Sequence, residues 1–338
     1  MKLYSKLGVC AAYLAMVFGI SSVSNRAEAQ QVLRTHVYPG SIVSLPVWVA
    51  DDGGFCKREG IECPAVPIAS GPLGLQALAA GSLEVMFTST DIIMQAASRG
   101  NDVVLITGHS PNNIYELSIR KDIGLKDKSY PAVMKEFVGK TVGISARGSA
   151  VENQMRALLI GAGLSPDSVT YVAVGSPNTA YPALFSKQIQ SAVMWEPFRT
   201  VCEAKDICEV AVDMKKGEGP AELRALNGAF ESFAARREFV TNNKKSIDAF
   251  IHAMSNGIAW MQNPENYEKV RAIAKARSSL GDITDADATL DRLLKAQIPT
   301  YGVKIDREAI KAFSKFLVTN KLTETPYDTS KFVYEGAP

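Results

Sequence analysis

Between Ser70 and Asp91 the chain reads SGPLGLQALAAGSLEVMFTSTD, and this stretch constrains the fold more than any other. Pro72 has the fixed φ suited to a first helical position, Ser70 or Gly71 can cap the exposed N–H groups, and Gly81 suits the left-handed residue that closes a helix. The pattern predicts a helix over Pro72 to Ala80, a strand over Glu84 to Phe87 and a polar turn at Thr88-Ser89-Thr90-Asp91 that opens a second helix, Asp91 to Arg99. Two polar turns, Ser70-Gly71 and Thr88 to Asp91, then open onto one edge of a sheet. A strand end followed by a helix start suits small electron-rich ligands, because unpaired N–H groups and the positive dipole end point outward.

The same rhythm of short strands and short helices runs on both sides. Strands are expected at Val32 to Tyr38, Glu62 to Ile68 (an edge, given Pro64 and Pro67) and Val103 to Thr107, with a helix from Leu45 to Phe55. After an extended Ile114 to Arg120 and a Lys-rich segment the rhythm restarts. Strands are expected at Thr141 to Ser145, Val169 to Val174 and Gln190 to Trp195, and a helix at Ala150 to Ile160, where Ser149 and Glu152 form an S-x-x-E capping box. Met214 to Gly228 reads as a surface excursion, and Phe230 to Ala235 as a return to the first domain. Lys244 to Gln262, Tyr267 to Ala276, Ala286 to Ala296 and Asp306 to Val318 are helical by pattern. Strands alternating with helices imply an α/β protein with parallel, layered sheets.

Lys2 and Lys6, the uncharged run Leu7 to Val23 and Ala27-Glu28-Ala29 read as the three regions of a signal peptide cut after Ala29. Its removal leaves 34 basic and 34 acidic side chains, a balance that argues against a nucleic-acid partner. In an exported chain the close pairs Cys56 with Cys63 and Cys202 with Cys208 read first as disulfides, ahead of free buried thiols, while their spacings match no usual zinc pattern. No hydrolase elbow, zincin, P-loop or dinucleotide fingerprint is present, and His36, His109 and His252 are far apart in sequence. Catalytic residues, metal and cofactor are therefore expected to be none. Binding has more to stand on: Arg147-Gly148-Ser149 at a helix start suits an anion, and Trp195-Glu196 ends a strand, where open α/β sheets face their ligand. Tyr38 and Trp48 flank the first turn, Trp48 reading as core.

The blocks LPVWVADDGGFCKREGIE, SGPLGLQALAAGSLEVMFTSTD, GKTVGISARGSAVENQMRALLIGAGLSPDSV and VMWEPF, in that order, resemble the alkanesulfonate, taurine and thiamine-pyrimidine (NMT1/THI5-like) type of ABC-transporter solute-binding protein. The resemblance implies a type II periplasmic-binding-protein fold, with two α/β lobes on a two-segment hinge and a ligand cleft between them. Lobe 1 is then residues 30–115 plus 233–338 and lobe 2 residues 116–232. It places ligand contacts at Ser41, Ser70, Gly71, Ser89, Thr90, Arg147, Gly148, Ser149, Trp195 and Glu196, and Tyr38 joins them as a candidate from its place beside the first turn. The implied protein is periplasmic, monomeric and not an enzyme, and delivers a small molecule to an ABC permease in the inner membrane. Arg147 and Ser149 favour a sulfonate or aromatic carboxylate, Trp195, Tyr38 and Tyr181 an organic body, and Glu196 an amine. Alternatives are a pyrimidine precursor as ligand, an enzyme of the same fold, or a ligand sensor.

Overall fold

A computed structural model describes residues 30–281 and 283–338, so the expected signal peptide lies outside the described residues. Two five-stranded sheets form the frame. The first uses β2 (Thr35–Val37), β4 (Ala65–Pro67), β5 (Val85–Ser89), β6 (Val103–Ser110) and β12 (Glu231–Arg236), in the order β4-β2-β5-β12-β6. The second uses β7 (Glu116–Arg120), β8 (Thr141–Ile144), β9 (Thr170–Ala173), β10 (Ser191–Met194) and β11 (Cys208–Asp213), in the order β11-β7-β10-β8-β9. A separate pair, β1 (Gln31–Val32) and β3 (Ile61–Glu62), runs parallel.

Both sheets are mixed, which corrects the expectation of parallel ones. In the first, β12 runs antiparallel to β5 and β6; in the second, β7 runs antiparallel to β10 and β11. These are the strands the chain enters straight after passing from one sheet to the other. With no helix long enough to carry it back to the far end, the chain starts each strand at the edge where the parallel strands finish. The register shows the result, since Glu231, first in β12, pairs with Ser89 and Ser110, the last residues of β5 and β6. Likewise Glu116, first in β7, pairs with Met194 at the end of β10.

Helices follow the apolar spacing. α10 (Lys244–Gln262) buries Ile247, Phe250, Ile251, Met254, Ile258 and Met261, spaced three or four apart, and packs on α1 (Leu45–Asp52) and α2 (Phe55–Arg58). The single helix expected over Leu45 to Phe55 is broken because Gly54 takes φ +71°, a left-handed value that glycine adopts without penalty. β4 is an edge strand, as its two prolines require. The strand expected over Val32 to Tyr38 splits at Leu33-Arg34, its halves joining different sheets. β11 was not foreseen, and the surface excursion after it holds a short helix, α8 (Ala221–Arg224), with Leu223 and Leu226 buried. Cys56 and Cys63 are bonded with Cα atoms 6.0 Å apart, and Cys202 and Cys208 with Cα atoms 5.6 Å apart.

Candidate functional site between the two sheets

Four helices start where parallel strands end or a strand-to-helix turn faces the opposite sheet: α3 (Gly71–Ala79) and α4 (Thr90–Ser98) on the first, α5 (Ala150–Gly161) and α6 (Pro177–Phe185) on the second. Their N-cap residues are Ser70, Ser89, Ser149 and Ser176, and in none does the side chain make a cap hydrogen bond. Serine at an N-cap ordinarily accepts from the second or third N–H of its helix. Here the hydroxyls of Ser70, Ser89 and Ser149 are buried and have no partner. The capping box expected at Ser149 and Glu152 is therefore not made. Glu152 Oε2 instead accepts from Gly148 N at 2.7 Å, which leaves the Ser149 hydroxyl free.

The two edges touch. Trp195 Nε1 donates to Ser41 Oγ at 2.9 Å, and Ser41 Oγ donates to the Glu196 carbonyl at 2.8 Å. Asn153 Nδ2, one turn into α5, donates to Asp91 Oδ2, in the first turn of α4, at 2.7 Å. Asn178 Nδ2 of α6 donates to the Pro39 carbonyl at 3.0 Å. An aromatic wall lies beside these contacts: Tyr38 meets Trp195 edge to face at 5.1 Å between centroids, and Tyr115 packs against Trp195 and Phe230. The Tyr38 hydroxyl bonds Thr88 Oγ1 at 2.9 Å. Gly71 permits this approach, because a Cβ there would stand 2.5 Å from Thr88 Oγ1 and 3.5 Å from the Tyr38 hydroxyl.

The sequence-derived residues divide into three groups. Tyr38, Ser70, Gly71, Ser89 and Ser149 are gathered at the facing edges, with Ser41 and Trp195 as the bridge between them. Thr90 lies among them, but its hydroxyl donates to the Ala229 carbonyl at 2.6 Å and meets Ser232 Oγ at 3.1 Å, anchoring β12 and leaving no hydroxyl proton for a ligand. Arg147 and Gly148 are not in the buried set, and the Glu196 carboxylate, though buried, is engaged within the second sheet's own elements. Arg147 is 64% exposed, pairs with Glu152 at 3.1 Å and lies over the Tyr171 ring, and Gly148 beside it is exposed. Glu196 Oε2 accepts from Thr200 N at the start of α7 (Phe198–Ala204), and its other oxygen is 3.6 Å from Lys215 Nζ. Tyr181 stacks on Phe185 beside a gap of about 50 Å³ lined by Pro177, Pro197 and Ser279.

Asp91, Asn153 and Glu231 were not singled out from sequence. Asp91 is fully buried, and burial raises its carboxyl above the usual range, against the bond from Asn153. The helical spacing of Asn153, four residues after Ser149 and hence on the same face, was the available signal. Glu231 Oε2 lies 3.2 Å from His109 Nδ1, and Ser110 Oγ lies 3.0 Å from that same nitrogen. A serine relay needs the hydroxyl and the carboxylate on opposite ring nitrogens, so this trio is not arranged to activate Ser110. Among the described residues no group of three or more His, Cys, Asp or Glu side chains could hold a metal ion, and no helix is long and apolar enough to cross a membrane.

The family model described as NMT1/THI5 like matches residues 41–267. The chain belongs to the NMT1/THI5-like family. A Brucella abortus protein named for a binding role is 25% identical over 211 residues, 60% of this chain; the match spans 58% of that relative's length. Among solved structures, the alkanesulfonate-binding protein of Xanthomonas axonopodis pv. citri, bound to MOPS, superposes with a TM-score of 0.69 at 16% identity, covering 89% of this chain and 96% of that one. A desulfurization enzyme superposes with a TM-score of 0.58 at 14% identity, covering 90% and 96%. This NMT1/THI5-like chain thus has the periplasmic-binding-protein fold, and the serine-capped helix starts are the part of that fold that its two sheets bring face to face.

Proposed function

We propose that this protein is the exported solute-binding component of an ABC importer. It takes up a small organic acid between a lobe of residues 30–115 plus 233–338 and a lobe of residues 116–232, and presents it to a permease. The observation that carries this reading is the set of buried, unpartnered hydroxyls of Ser70, Ser89 and Ser149 at helix starts from both sheets. Buried polar groups are nearly always paired, so orphan hydroxyls drawn from two separate sheets imply a partner supplied from outside. Helix starts add a positive dipole end suited to a sulfonate or carboxylate oxygen, in keeping with the ligand class named for the Xanthomonas protein. Tyr38 and Trp195 would bound the ligand's organic body.

Thermal-shift screening of residues 30–338 against alkanesulfonates, aromatic carboxylates, aminopyrimidines and nitrate tests the reading. A true ligand at a hundredfold excess over its Kd stabilises by about 2.7 kcal/mol, a rise of several degrees. No rise with any of these classes would refute solute capture as proposed. The fold shared with a desulfurization enzyme makes turnover of a bound sulfonate the second readout; sulfite release would reassign the protein as an enzyme.

A further inference from the structure

A sulfonate or carboxylate accounts for the serines but leaves the buried charge at the same interface unexplained. Asp91 is wholly buried, one carboxylate oxygen accepts from Asn153 of the opposite sheet, and Oδ1 has no partner. No Lys or Arg among the described residues forms an ion pair with it. A second carboxylate, Glu231, is buried at the start of β12, but its Oε2 lies 3.2 Å from His109 Nδ1, so Asp91 is the one left open. The one cationic side chain expected nearby, that of Arg147, lies on the outer rim against Glu152 and Tyr171. Burying a carboxylate with an open lone pair is costly unless a donor or a cation meets it. Asp91 also sits where the first turns of α4 and α5 meet, two residues after Ser89, and the Asn153 that reaches it lies one turn after Ser149.

We infer that the solute carries a nitrogen donor as well as its acid group, and that Asp91 Oδ1 receives this nitrogen while Asn153 holds the carboxylate in place from the other lobe. The inference rests on the solute-binding reading. The ligand class narrows from organic acids in general to aminated ones, with acid and amine separated by a short spacer. Asp91 selects for the nitrogen and Asn153 is a positioning residue, because its amide reaches the solute through Asp91. A ligand bearing only an anionic group would bring a second negative charge beside Asp91 with no cation to offset it.

Isothermal titration with matched pairs tests this, each pair differing by one amino group: taurine against ethanesulfonate, and 4-(aminomethyl)benzoate against 4-methylbenzoate. The unmodified protein should bind the aminated member of at least one pair ten times more tightly than its partner or better. In Asp91→Asn, which retains an acceptor for Asn153, that preference should fall to within about threefold. The comparison within the unmodified protein stands even if the variant folds poorly. Equal or tighter binding of ethanesulfonate or 4-methylbenzoate overturns the nitrogen inference and leaves solute binding standing, as does binding of nitrate with neither aminated probe bound. Retention of the full preference by a folded Asp91→Asn removes Asp91 as the acceptor. Binding of no solute by any assay overturns both readings.

Discussion

Replacing Ser41 with Ala should weaken solute binding by disfavouring closure, with little effect on the stability of either lobe. The Ser41 hydroxyl is used twice across the interface, accepting from Trp195 Nε1 at 2.9 Å and donating to the Glu196 carbonyl at 2.8 Å. With the lobes together both groups are out of reach of water, as Trp195 and Ser41 are buried. With the lobes apart, water can satisfy the indole N–H and the carbonyl, so the loss falls almost wholly on the closed state. At about 1 kcal/mol for each neutral hydrogen bond, Ser41→Ala disfavours closure by roughly 2 kcal/mol. That corresponds to a loss of affinity of up to about thirtyfold if solute is held only in the closed form, since competent population and apparent affinity fall together. The assay is titration calorimetry with whichever solute the screen yields, alongside small-angle scattering without solute, where the variant should have the larger radius of gyration. Urea unfolding should move by less than about 1 kcal/mol. Unchanged affinity with an unchanged scattering profile would refute the argument, because the Ser41 bridge would then not govern closure.

Ser149→Ala should leave stability within about 0.5 kcal/mol, because its hydroxyl makes no cap bond to lose, while weakening binding by roughly tenfold; Arg147→Ala, at an exposed pair, should change neither by more than about 1 kcal/mol, and a large loss of affinity would return Arg147 to the site. Burial and the Glu196 charge push the Glu116 carboxyl up to about 8, against Lys215 and Arg199. The folded chain then keeps a proton the unfolded chain has lost, so this group's contribution makes stability fall as pH rises from about 4.5 to 8, by up to ~1.4 kcal/mol per unit; Glu116→Gln should flatten that slope in urea melts taken across the range. Non-reducing intact-mass analysis of residues 30–338 should find no free thiol, and Cys56→Ser should lower stability by about 2 kcal/mol, the value for a loop this short.

The parts of the fold legible in the sequence are those set by local rules. The Gly54 break aside, apolar periodicity and helix punctuation located most helices to within a residue or two, because the burial of one face and the end signals lie within the same dozen residues. Strand direction was not legible. Nothing local to Glu231–Arg236 or Glu116–Arg120 says that they run against their neighbours; that follows from where the chain stands when it crosses between sheets. β11 was missed for a related reason, since its partner β7 lies about ninety residues earlier and its sequence, CEVAVD, carries its charges at both ends of the apolar centre.

The site was legible to the extent that its chemistry lies in the backbone. Helix starts after polar turns could be located, and Ser70, Ser89 and Ser149 followed from them. What could not be read is how each side chain is used, because this depends on a partner from the other sheet. Glu152, expected to reciprocate with Ser149, is drawn to Gly148 N and Arg147 on the rim. Thr90, next to Ser89 and of the same chemistry, is taken by Ala229 and Ser232 of the returning chain. Asp91, the last residue of the opening stretch, looks from sequence like a first-turn acid complementing a helix dipole. Its bond from Asn153 changes that meaning, since a residue stabilising only its own helix has no need of a donor from the opposite sheet. Arg147 lies outside and Asp91 inside, so under the inference drawn above the side chain that selects the solute is an acid, opposite in kind to the one the loop sequence suggested.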